Sequence, residues 1–444
     1  MSAMPAPEAC DVLVVGGGPA GSTAAALMAR QGRKVVLVDK VYHPRFHIGE
    51  SLLPANVKLF DELGLRSELE RIGMRKWGIE FISPHHSHSS FLEFADAWDK
   101  TMPYAWQVRR SVMDELLFRH AASCGAQAIE GCRVTKVDLD ADGVSAQAVM
   151  EDGTPRQWRA RYLMDASGRD TLLAAKMGCK QKNEAHGSAA IFGHFLNARR
   201  LEGKLEGNIS IFWFDHGWFW FIPLADHTTS VGAVCWPYYL KSRSKPLREF
   251  FADTIALAPA LKERLRDATL IEDMVYATGN YSYASTHACG PRHALLGDAF
   301  AFIDPVFSSG VYFAMRSAFG AAELAATELD HPERAPAARA AYAKLANKGP
   351  KEFSWFIYRM TNPTMRGLFM YPRNPLRVKE ALLTVLAGDV HRDSPMWRSL
   401  FAFKVIYYLS WLRDAPTAFR AWRARRRNIA QVGPTKGENV LVES

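Results

Sequence analysis

The fold of this chain is decided near its start, by the stretch "DVLVVGGGPAGSTAAALMARQGRKVVLVDK" at residues 11–40. An apolar run at 12–15 ends directly in glycines, an alanine-rich stretch at 22–30 has helical character, and a second apolar run at 35–38 ends at Asp39. The order of strand, tight turn, helix and strand is typical of a Rossmann-like unit, whose turn receives the phosphates of a dinucleotide. The sequence therefore predicts an α/β fold that begins with a dinucleotide-binding motif.

Three glycines at the turn carry the GxGxxG pattern. Gly16 permits the tight turn, Gly18 permits close approach of a pyrophosphate, and Gly21 permits the helix to pack against the strand. The helix N-terminus presents free N–H groups and a dipole that favours the phosphates. Asp39 follows Gly21 by 18 residues and stands where an acid binds ribose hydroxyls. We therefore predict that these four residues bind a dinucleotide.

A second segment, "HALLGDAFAFIDPVFSSGVYFAM" at residues 293–315, favours FAD over NAD. It predicts a short strand at 294–296, a Gly-Asp pair that ends at Asp298, and a following helix rich in small residues. Asp298 is placed to accept hydrogen bonds from the ribityl chain of a flavin. Together with the GxGxxG turn and "DASGRD" at 165–170, the segment resembles the FAD-dependent family of aromatic hydroxylases and their relatives.

That resemblance implies that FAD lies extended, with its ADP at the first motif and its isoalloxazine near the last. It also implies that Arg45 and Arg110 lie near the cofactor, where proteins of this family place basic residues. FAD is therefore the predicted cofactor.

Four shorter stretches narrow the resemblance: "HIGESLLP" (47–54), "RKWGIEF" (75–81), "GWFWFIP" (217–223) and "DPVFSSGV" (304–311). Together they resemble the flavin-dependent halogenases, and the similarity is strongest to the branch that acts on pyrroles and phenols rather than on free tryptophan. It runs nearly end to end and includes "LLTVLAGDV" at 382–390. The WxWxIP pattern of the third stretch is more specific than GESLLP, and the occurrence of both in order carries the identification.

The halogenase resemblance implies a definite chemistry. Reduced FAD, oxygen and chloride or bromide give hypohalous acid, which crosses a short tunnel to a lysine and then halogenates an electron-rich ring. Lys76 stands at the place of that lysine, and Ser51 of GESLLP stands at the cofactor. The lysine position needs a compact cationic donor. An ammonium on a flexible stem, whose proton affinity falls on burial, meets that need.

The paired tryptophans of "GWFWFIP" predict a barrier. Alternate residues of a strand face opposite sides of a sheet, so Trp218, Trp220 and Ile222 share one face, and Pro223 ends the strand. Such a face is also typical of ordinary core aromatics. In a halogenase-like protein it would separate the flavin from the substrate, pass only a small oxidant and exclude water from the flavin.

A halide needs a site lined by hydrogen-bond donors. The backbone N–H groups of Ser309 and Gly310, where a turn meets the start of a helix, are predicted to supply that site. The tryptophan-acting halogenases carry an acid three residues before that glycine, and this chain has Phe307 there. The departure favours a phenol or pyrrole, which activates its own ring. Glu80 is a weaker candidate for a base.

Composition limits the other possibilities. The 444 residues carry a formal charge of +9, and "RDAPTAFRAWRARRR" at 413–427 holds six arginines against one aspartate. A solvated terminal helix, an acidic partner surface and anionic lipid are open explanations, whereas no nucleic-acid-binding motif accompanies the run. No signal peptide, spanning segment, CxxC pair or metal-ligand pattern around His85, His86 and His88 is found. We therefore expect a cytoplasmic protein without a metal site.

The predicted organisation has three parts. A discontinuous FAD-binding domain takes residues 1–82, 104–185 and 275–330. Residues 83–103 and 186–274, which alternate apolar and polar as in "NISIFWF" and "TTSVGAVCW", form a β-rich substrate-covering domain. Residues 331–444 are mainly helical.

We therefore predict an FADH2-dependent halogenase. Its substrate is an electron-rich aromatic, either free or tethered to an acyl carrier protein. The resemblance implies that a separate flavin reductase supplies reduced FAD, and the lack of a second GxGxxG agrees with this. A flavin-dependent aromatic monooxygenase and a halogenase-like docking subunit without activity are the alternatives. Weak contact of the C-terminus with a membrane surface is also expected, because "FAFKVIYYLSWL" at 401–412 is too short to span a bilayer but suits its interface.

Overall fold

The computed structural model describes residues 6–183, 186–279, 282–392 and 394–430. Within these ranges the strands are β1 (Glu8–Val15), β2 (Val35–Val38), β3 (Gly73–Lys76), β4 (Gly78–Ile82), β5 (Ser90–Glu93), β6 (Ala105–Val108), β7 (Gln127–Ile129), β8 (Cys132–Leu139), β9 (Val144–Met150), β10 (Pro155–Asp165), β11 (Lys180–Lys182), β12 (Ala189–Leu196), β13 (Ile209–Phe214), β14 (Gly217–Pro223), β15 (Thr229–Cys235), β16 (Thr269–Leu270), β17 (Tyr276–Thr278), β18 (Tyr283–Ser285), β19 (Cys289–Gly290), β20 (His293–Leu295) and β21 (Ala301–Phe302). The α-helices are α1 (Pro19–Arg30), α2 (Pro54–Leu63), α3 (Arg66–Ile72), α4 (Arg110–Ser123), α5 (Leu172–Lys176), α6 (Pro237–Lys241), α7 (Leu247–Ala256), α8 (Pro259–Arg264), α9 (Gly310–Asp330), α10 (Ala335–Ile357), α11 (Pro363–Met370), α12 (Val378–Leu386), α13 (Met396–Arg413) and α14 (Ala415–Ala430).

The first sheet contains the predicted nucleotide-binding strands. Its strands follow the order β19-β20-β10-β1-β2-β7, and β8 and β9 extend it beside β10. The pairings that join β20, β10, β1, β2 and β7 are all parallel, with Val12 opposite both Val35 and Tyr162. All four residues of β2 are apolar and buried, as expected for a parallel strand that is covered on both faces.

Helix α1 begins three residues earlier than the sequence pattern predicts. Gly18 is its extended N-cap, and Pro19 takes the first helical position, which suits proline because no N–H is needed there. The helix packs against α4 and α9. A Cβ on Gly297 would lie 3.7 Å from the Cβ of Ala20, so the late Gly-Asp pair lies beside the N-terminal glycine turn.

The second sheet has the order β16-β12-β15-β14-β13-β4-β5, with β17 beside β12. In its centre, β14 shows the predicted alternation. Trp218, Trp220 and Ile222 belong to the large core shared with the first sheet. Phe219 and Phe221 point to the opposite face and join a smaller core that includes residues of α7 and α8.

The C-terminal part consists of α10 to α14. Helix α10 packs on α9, α12 packs on α13, and α14 contacts α6, α11 and α13. Over the residues described, no helix combines the length and the apolar character needed to cross a membrane. The predicted fold class, a Rossmann-like α/β FAD-binding domain with a β-sheet domain and a helical C-terminal region, is confirmed. The domain boundaries stay a prediction.

Candidate active site

In the glycine turn between β1 and α1, backbone atoms lie too close to Gly16 and Gly21 for a side chain at either position, whereas Gly18 has room beside it. Gly16 has a φ of +105°, and a Cβ there would lie 2.2 Å from the carbonyl oxygen of Ala166. A Cβ on Gly21 would lie 1.8 Å from the carbonyl oxygen of Gly16. A Cβ on Gly18 would instead approach Arg45 Nη2 at 3.4 Å. The turn therefore fits a pyrophosphate at Gly18, with the N–H groups at the start of α1 as donors.

Asp39 and Arg45 lie against the same turn. Asp39 Oδ2 accepts a hydrogen bond from the N–H of Gly17 at 2.8 Å. The guanidinium of Arg45 lies 3.6 Å from the carboxylate of Asp39 and 3.5 Å from that of Asp114. A carboxylate for ribose hydroxyls and a guanidinium for phosphates thus lie side by side, which fits the ADP end of a dinucleotide.

Arg110 and Asp298, the next two predicted cofactor-binding residues, lie close enough for the charge of Arg110 to act on Asp298. Arg110 Nε and Nη2 donate to the two oxygens of Asp114 at 2.8 and 2.9 Å, and Nη1 donates to the carbonyl of Ile48 at 2.8 Å. Arg110 therefore fixes the loop that leads into GESLLP. Burial raises the pKa of Asp298 to about 6, and the positive charges of Arg169 and Arg110 oppose that rise. Asp298 is consequently ionised at neutral pH and can accept hydrogen bonds.

Lys76, the last residue of β3, has a buried side chain with 1% of its surface exposed. Its Nζ donates to the Ser51 hydroxyl at 2.9 Å and to the Leu52 carbonyl at 3.0 Å, and lies 5.2 Å from the centre of the Phe94 ring. Burial lowers the pKa of Lys76 to about 7, and no charged neighbour in the described part of the chain offsets this. Amine and ammonium forms therefore coexist near neutral pH.

The side-chain amide of Asn208 and the backbone of Gln107 hold the end of β3 in place, and sequence reasoning missed both residues. Asn208 Oδ1 accepts hydrogen bonds from the N–H groups of Trp77 and Gly78, each at 2.9 Å. Gln107 pairs through its backbone with Ser51. These contacts join the lysine strand, the GESLLP loop and the second sheet. A lone Asn or Gln outside a motif gives no sequence signal for such a role.

The predicted flavin-shielding residues are all buried in β14, where Trp218, Trp220 and Ile222 form one wall and Pro223 ends the strand. The ring centres of the two tryptophans lie 6.2 Å apart. Trp220 Nε1 donates to the Ser230 hydroxyl at 3.1 Å, and a Cβ on Gly232 would lie 2.2 Å from Cζ2 of Trp220. The indole of Trp220 is therefore held by a hydrogen bond and by a glycine that leaves room for it.

A cavity lies on the Trp218 side of this wall, between β14, the turn at Asp304 and the connection from α10 to α11. His186 Nε2 and Asp304 Oδ2 are 3.1 Å apart at its edge, and Arg425 Nη2 of α14 lies 3.3 Å from His186 Nδ1. The Ser188 hydroxyl, which lines the cavity, has no hydrogen-bond partner among the described residues. Sequence reasoning missed His186 and Ser188 because they stand outside every motif.

The turn before α9 contains the two residues predicted to bind halide, and that role stays a prediction. Ser309 is the buried N-cap of α9, and a Cβ on Gly310 would meet nothing within 4 Å. Ser309 and Gly310 thus stand at the N-terminus of a 21-residue helix, whose first N–H groups have no partner within the helix. Phe307, at the place of the acid in tryptophan-acting halogenases, is buried with its ring centre 6.2 and 6.3 Å from those of Phe353 and Phe356.

Glu80, His86 and His88, which are weaker candidates for a base or a metal site, bind other groups of the protein. Glu80 forms an ion pair with Arg264 at 2.7 Å and accepts a hydrogen bond from the Ser210 hydroxyl at 2.5 Å, so it is not available as a base. His86 and His88 bond to a hydroxyl and a backbone carbonyl, and the described residues contain no group of three metal-binding side chains.

The amino-acid sequence of residues 9–337 matches the family described as FAD binding domain, which covers more than half of the chain. This match agrees with the cleft built by the glycine turn, Asp39, Arg45 and Asp298. The prediction of FAD as the cofactor is confirmed. The roles of the individual site residues stay predictions.

Individual relatives define the family further. The chain is 34% identical over 332 residues to the tryptophan 2-halogenase of Chondromyces crocatus, covering 72% of this chain and 61% of that protein. Its structure is similar to the myxobacterial chondrochloren halogenase CndH, with a TM-score of 0.77, 31% identity and coverage of 88% of this chain and 93% of that one. It is also similar to a flavoprotein/dehydrogenase from Cytophaga hutchinsonii, with a TM-score of 0.81, 27% identity and coverage of 92% and 100%.

The chain spans less than two thirds of the length of the first curated relatives it matches. The match to the chondrochloren halogenase, in contrast, covers nearly all of both chains. On these similarities and on the FAD-binding cleft, the chain belongs to the flavin-dependent halogenases.

Proposed function

We propose that this protein uses reduced FAD, oxygen and chloride or bromide to halogenate an electron-rich aromatic ring. The observation that carries the proposal is the amine of Lys76, which is fully buried and bonded to a hydroxyl and a carbonyl rather than to a carboxylate. Burial of an amine without an ionic partner destabilises its charged form. A lysine kept here despite that cost is well suited to act on a small, reactive oxidant.

The overall reaction balances without a further reagent. Reduced FAD, one oxygen molecule, one hydrogen halide and one aromatic C–H give oxidised FAD, one carbon–halogen bond and two waters. When bound, FAD supplies the two-electron reduction of oxygen that turns the halide into hypohalous acid. As an ammonium, Lys76 donates a hydrogen bond to the oxygen of hypohalous acid and makes the halogen more electrophilic. As an amine, it forms an N–halogen bond with loss of water, passes the halogen to the ring and takes up the ring proton.

The wall of Trp218, Trp220 and Ile222, in the strand that Pro223 ends, supports a separation of flavin from substrate. A ring that cannot reach the flavin cannot be hydroxylated there, whereas a small oxidant can pass. The N–H groups of Ser309 and Gly310 support a halide position at the start of α9, because anions are favoured at helix N-termini. Each role is a consequence of shape and charge at the named residues.

The substrate class follows from the residue at position 307. Phe307 supplies no carboxylate to stabilise a cationic ring, so a phenol or a pyrrole, which stabilises that charge itself, is the proposed substrate. The ring is either free or tethered to an acyl carrier protein. A separate flavin reductase is the proposed source of reduced FAD.

A product assay tests the proposal. The protein is incubated with FAD, a flavin reductase, NADH, oxygen and bromide, and a panel of phenols, pyrroles and indoles is analysed by mass spectrometry. Lys76→Ala is compared with Lys262→Ala, which removes an exposed lysine of α8. Brominated phenol or pyrrole from the wild type and from Lys262→Ala, but not from Lys76→Ala, is the expected result.

Other results would contradict specific parts of the proposal. A hydroxylated product would identify a flavin-dependent monooxygenase, and equal bromination by Lys76→Ala would remove the lysine from the mechanism. Peroxide alone, both with free rings and with the same rings tethered to an acyl carrier protein, would indicate a docking subunit without halogenase activity.

A further inference from the structure

Helix α13 is apolar on two faces. Its inner face packs into the core through Met396, Leu400, Phe403 and Tyr407, all of them buried. Its outer face is exposed and equally apolar: Phe401, Val405, Tyr408, Leu409 and Leu412. These positions recur at intervals of three and four residues and therefore form one stripe along the helix. A surface helix of a soluble domain normally carries polar residues on that side.

The stripe is long and well exposed. Phe401, Leu409 and Leu412 show 69%, 60% and 62% of their surface, and the 18-residue helix is about 27 Å long at the usual rise per residue. Contiguous exposed apolar surface of this kind marks an interaction site rather than scattered surface residues.

Helix α14 continues the stripe and adds charge. Phe419 and Trp422 are exposed and stacked, with ring centres 5.4 Å apart. The exposed side chains around them are predominantly cationic: Arg413, Arg420, Arg423, Arg426 and Arg427. Asp414 is the one acidic residue between positions 413 and 427. Helix α14 contacts α13, and we call the exposed apolar side chains of α13, together with the exposed aromatic and cationic side chains of α14, the α13–α14 face.

We propose that the α13–α14 face docks on an anionic lipid bilayer. The arginines would bind lipid phosphates while the aromatic and aliphatic side chains enter the boundary between head groups and acyl chains. An acidic protein would satisfy the arginines but would leave most of the apolar stripe without an apolar medium. Because no described helix is suited to span a membrane, the helices would lie in the plane of the interface.

The same face is connected to the cavity beside Trp218. Arg425 of α14 points inward, where it lies 3.3 Å from His186 and 5.8 and 5.6 Å from the ring centres of Trp236 and Tyr358. Helix α14 therefore covers one edge of the cavity with its inner side and presents the docking surface with its outer side. Docking would place that edge of the cavity next to the bilayer.

Vesicle co-sedimentation of the full chain tests the proposal. Vesicles of phosphatidylcholine alone are compared with vesicles that also contain phosphatidylglycerol, at low and at high salt. The wild type is expected to bind the anionic vesicles, and to bind them less at high salt. The double variant Leu409→Glu/Leu412→Glu should bind at least about tenfold more weakly, because two apolar side chains become charged. Leu257→Glu, which changes a leucine exposed by 48% at the end of α7, should bind like the wild type.

Several results would overturn the proposal. They are no binding by the wild type, equal binding to both kinds of vesicle, or equal loss of binding in Leu257→Glu. Self-association that is abolished by Leu409→Glu/Leu412→Glu, without vesicle binding, would assign the face to a second copy of the chain. Binding of an acidic acyl carrier protein without vesicle binding would assign it to that protein. Circular dichroism and retained FAD confirm folding of the variants, and neither readout depends on halogenation.

Discussion

The environment of Lys76 predicts an unusual pH dependence of stability. Replacement by methionine keeps most of the volume and removes the charge. The pKa of Lys76 falls from its ordinary value of 10.5 to about 7 because the amine is buried. Between these two values the unfolded chain holds a proton that the folded chain lacks, so the wild type gains stability as the pH rises from 7 towards 10. Below pH 7 the folded protein carries the full cost of a buried ammonium.

The size of the effect follows from that difference in pKa. A shift of this size corresponds to about 5 kcal/mol at or below pH 7 and decreases by about 1.4 kcal/mol for each pH unit above 7. Methionine also leaves the Leu52 carbonyl and the Ser51 hydroxyl without their donor, which costs about 2 kcal/mol. Lys76→Met should therefore raise the free energy of unfolding by about 3 kcal/mol at pH 6, a gain that vanishes near pH 9.

Urea titrations of the apoprotein at pH 6, 7.5 and 9 would measure this difference. Lys262→Met, which changes an exposed lysine of α8, is the control and should differ from the wild type by the same small amount at every pH. If the difference between Lys76→Met and the wild type stayed constant with pH, or grew towards pH 9, the amine would not be buried as described. The reasoning about its neutral form would then fail as well.

Three further predictions concern the wall and the flavin cleft. Trp220→Ala should raise the ratio of hydrogen peroxide to halogenated product, because the shortened side chain lets water reach the flavin. An unchanged ratio in a coupled peroxide assay would contradict the shielding of the flavin by Trp220. Gly232→Ala places a Cβ 2.2 Å from the Trp220 ring and should lower the free energy of unfolding by about 1 to 3 kcal/mol. The control Gly367→Ala lies in α11, where the new Cβ meets nothing within 4 Å, and should raise the free energy of unfolding by about 0.5 kcal/mol. Equal melting temperatures of the two variants would show that the Trp220 ring moves to make room. Burial raises the pKa of Asp298 to about 6. Between pH 4 and pH 6 the folded protein therefore keeps a proton on Asp298 that the unfolded chain has lost, so the folded state becomes less stable as the pH rises to 6. Asp298→Asn should therefore stabilise the apoprotein by up to about 3 kcal/mol at pH 7 and not at pH 4. The same variant should bind FAD more weakly, as measured by fluorescence quenching. An equal stabilisation at pH 4 would contradict the raised pKa of Asp298.

The parts of the fold that sequence predicts well are those set by local rules. The glycine turn is readable because only glycine tolerates the approach of Ala166 at Gly16 and of the Gly16 carbonyl at Gly21. The faces of β14 are readable because a strand alternates with a period of two, and Trp218 and Phe219 duly join different cores. Periodicity does not tell which face of α13 meets solvent, because both of its faces are apolar.

The site was predictable where residues belong to motifs and not where distant segments meet. Sequence reasoning expected the proton affinity of Lys76 to fall on burial, and the buried amine agrees with this. It gave no sign of the contact between His186 and Asp304, which are separated by 118 positions in the chain. That pair depends on how the strand entering the second sheet meets the turn before α9, which is a property of tertiary packing.

The apolar residue at position 307 and the amine of Lys76 are best understood together. Electrophilic halogenation makes the ring cationic before its proton leaves, so the site or the ring must stabilise that charge. Phe307 is packed among aromatic rings, and Glu80 is held by Arg264, so neither supplies a free carboxylate. A phenol or pyrrole delocalises the charge through its own oxygen or nitrogen and needs only a proton acceptor. In the proposed reaction the nitrogen that passes its halogen to the ring takes up that proton and is again the neutral amine, and a pKa of about 7 keeps a share of Lys76 in this form at neutral pH. One buried lysine can therefore serve both steps, provided that the substrate activates its own ring.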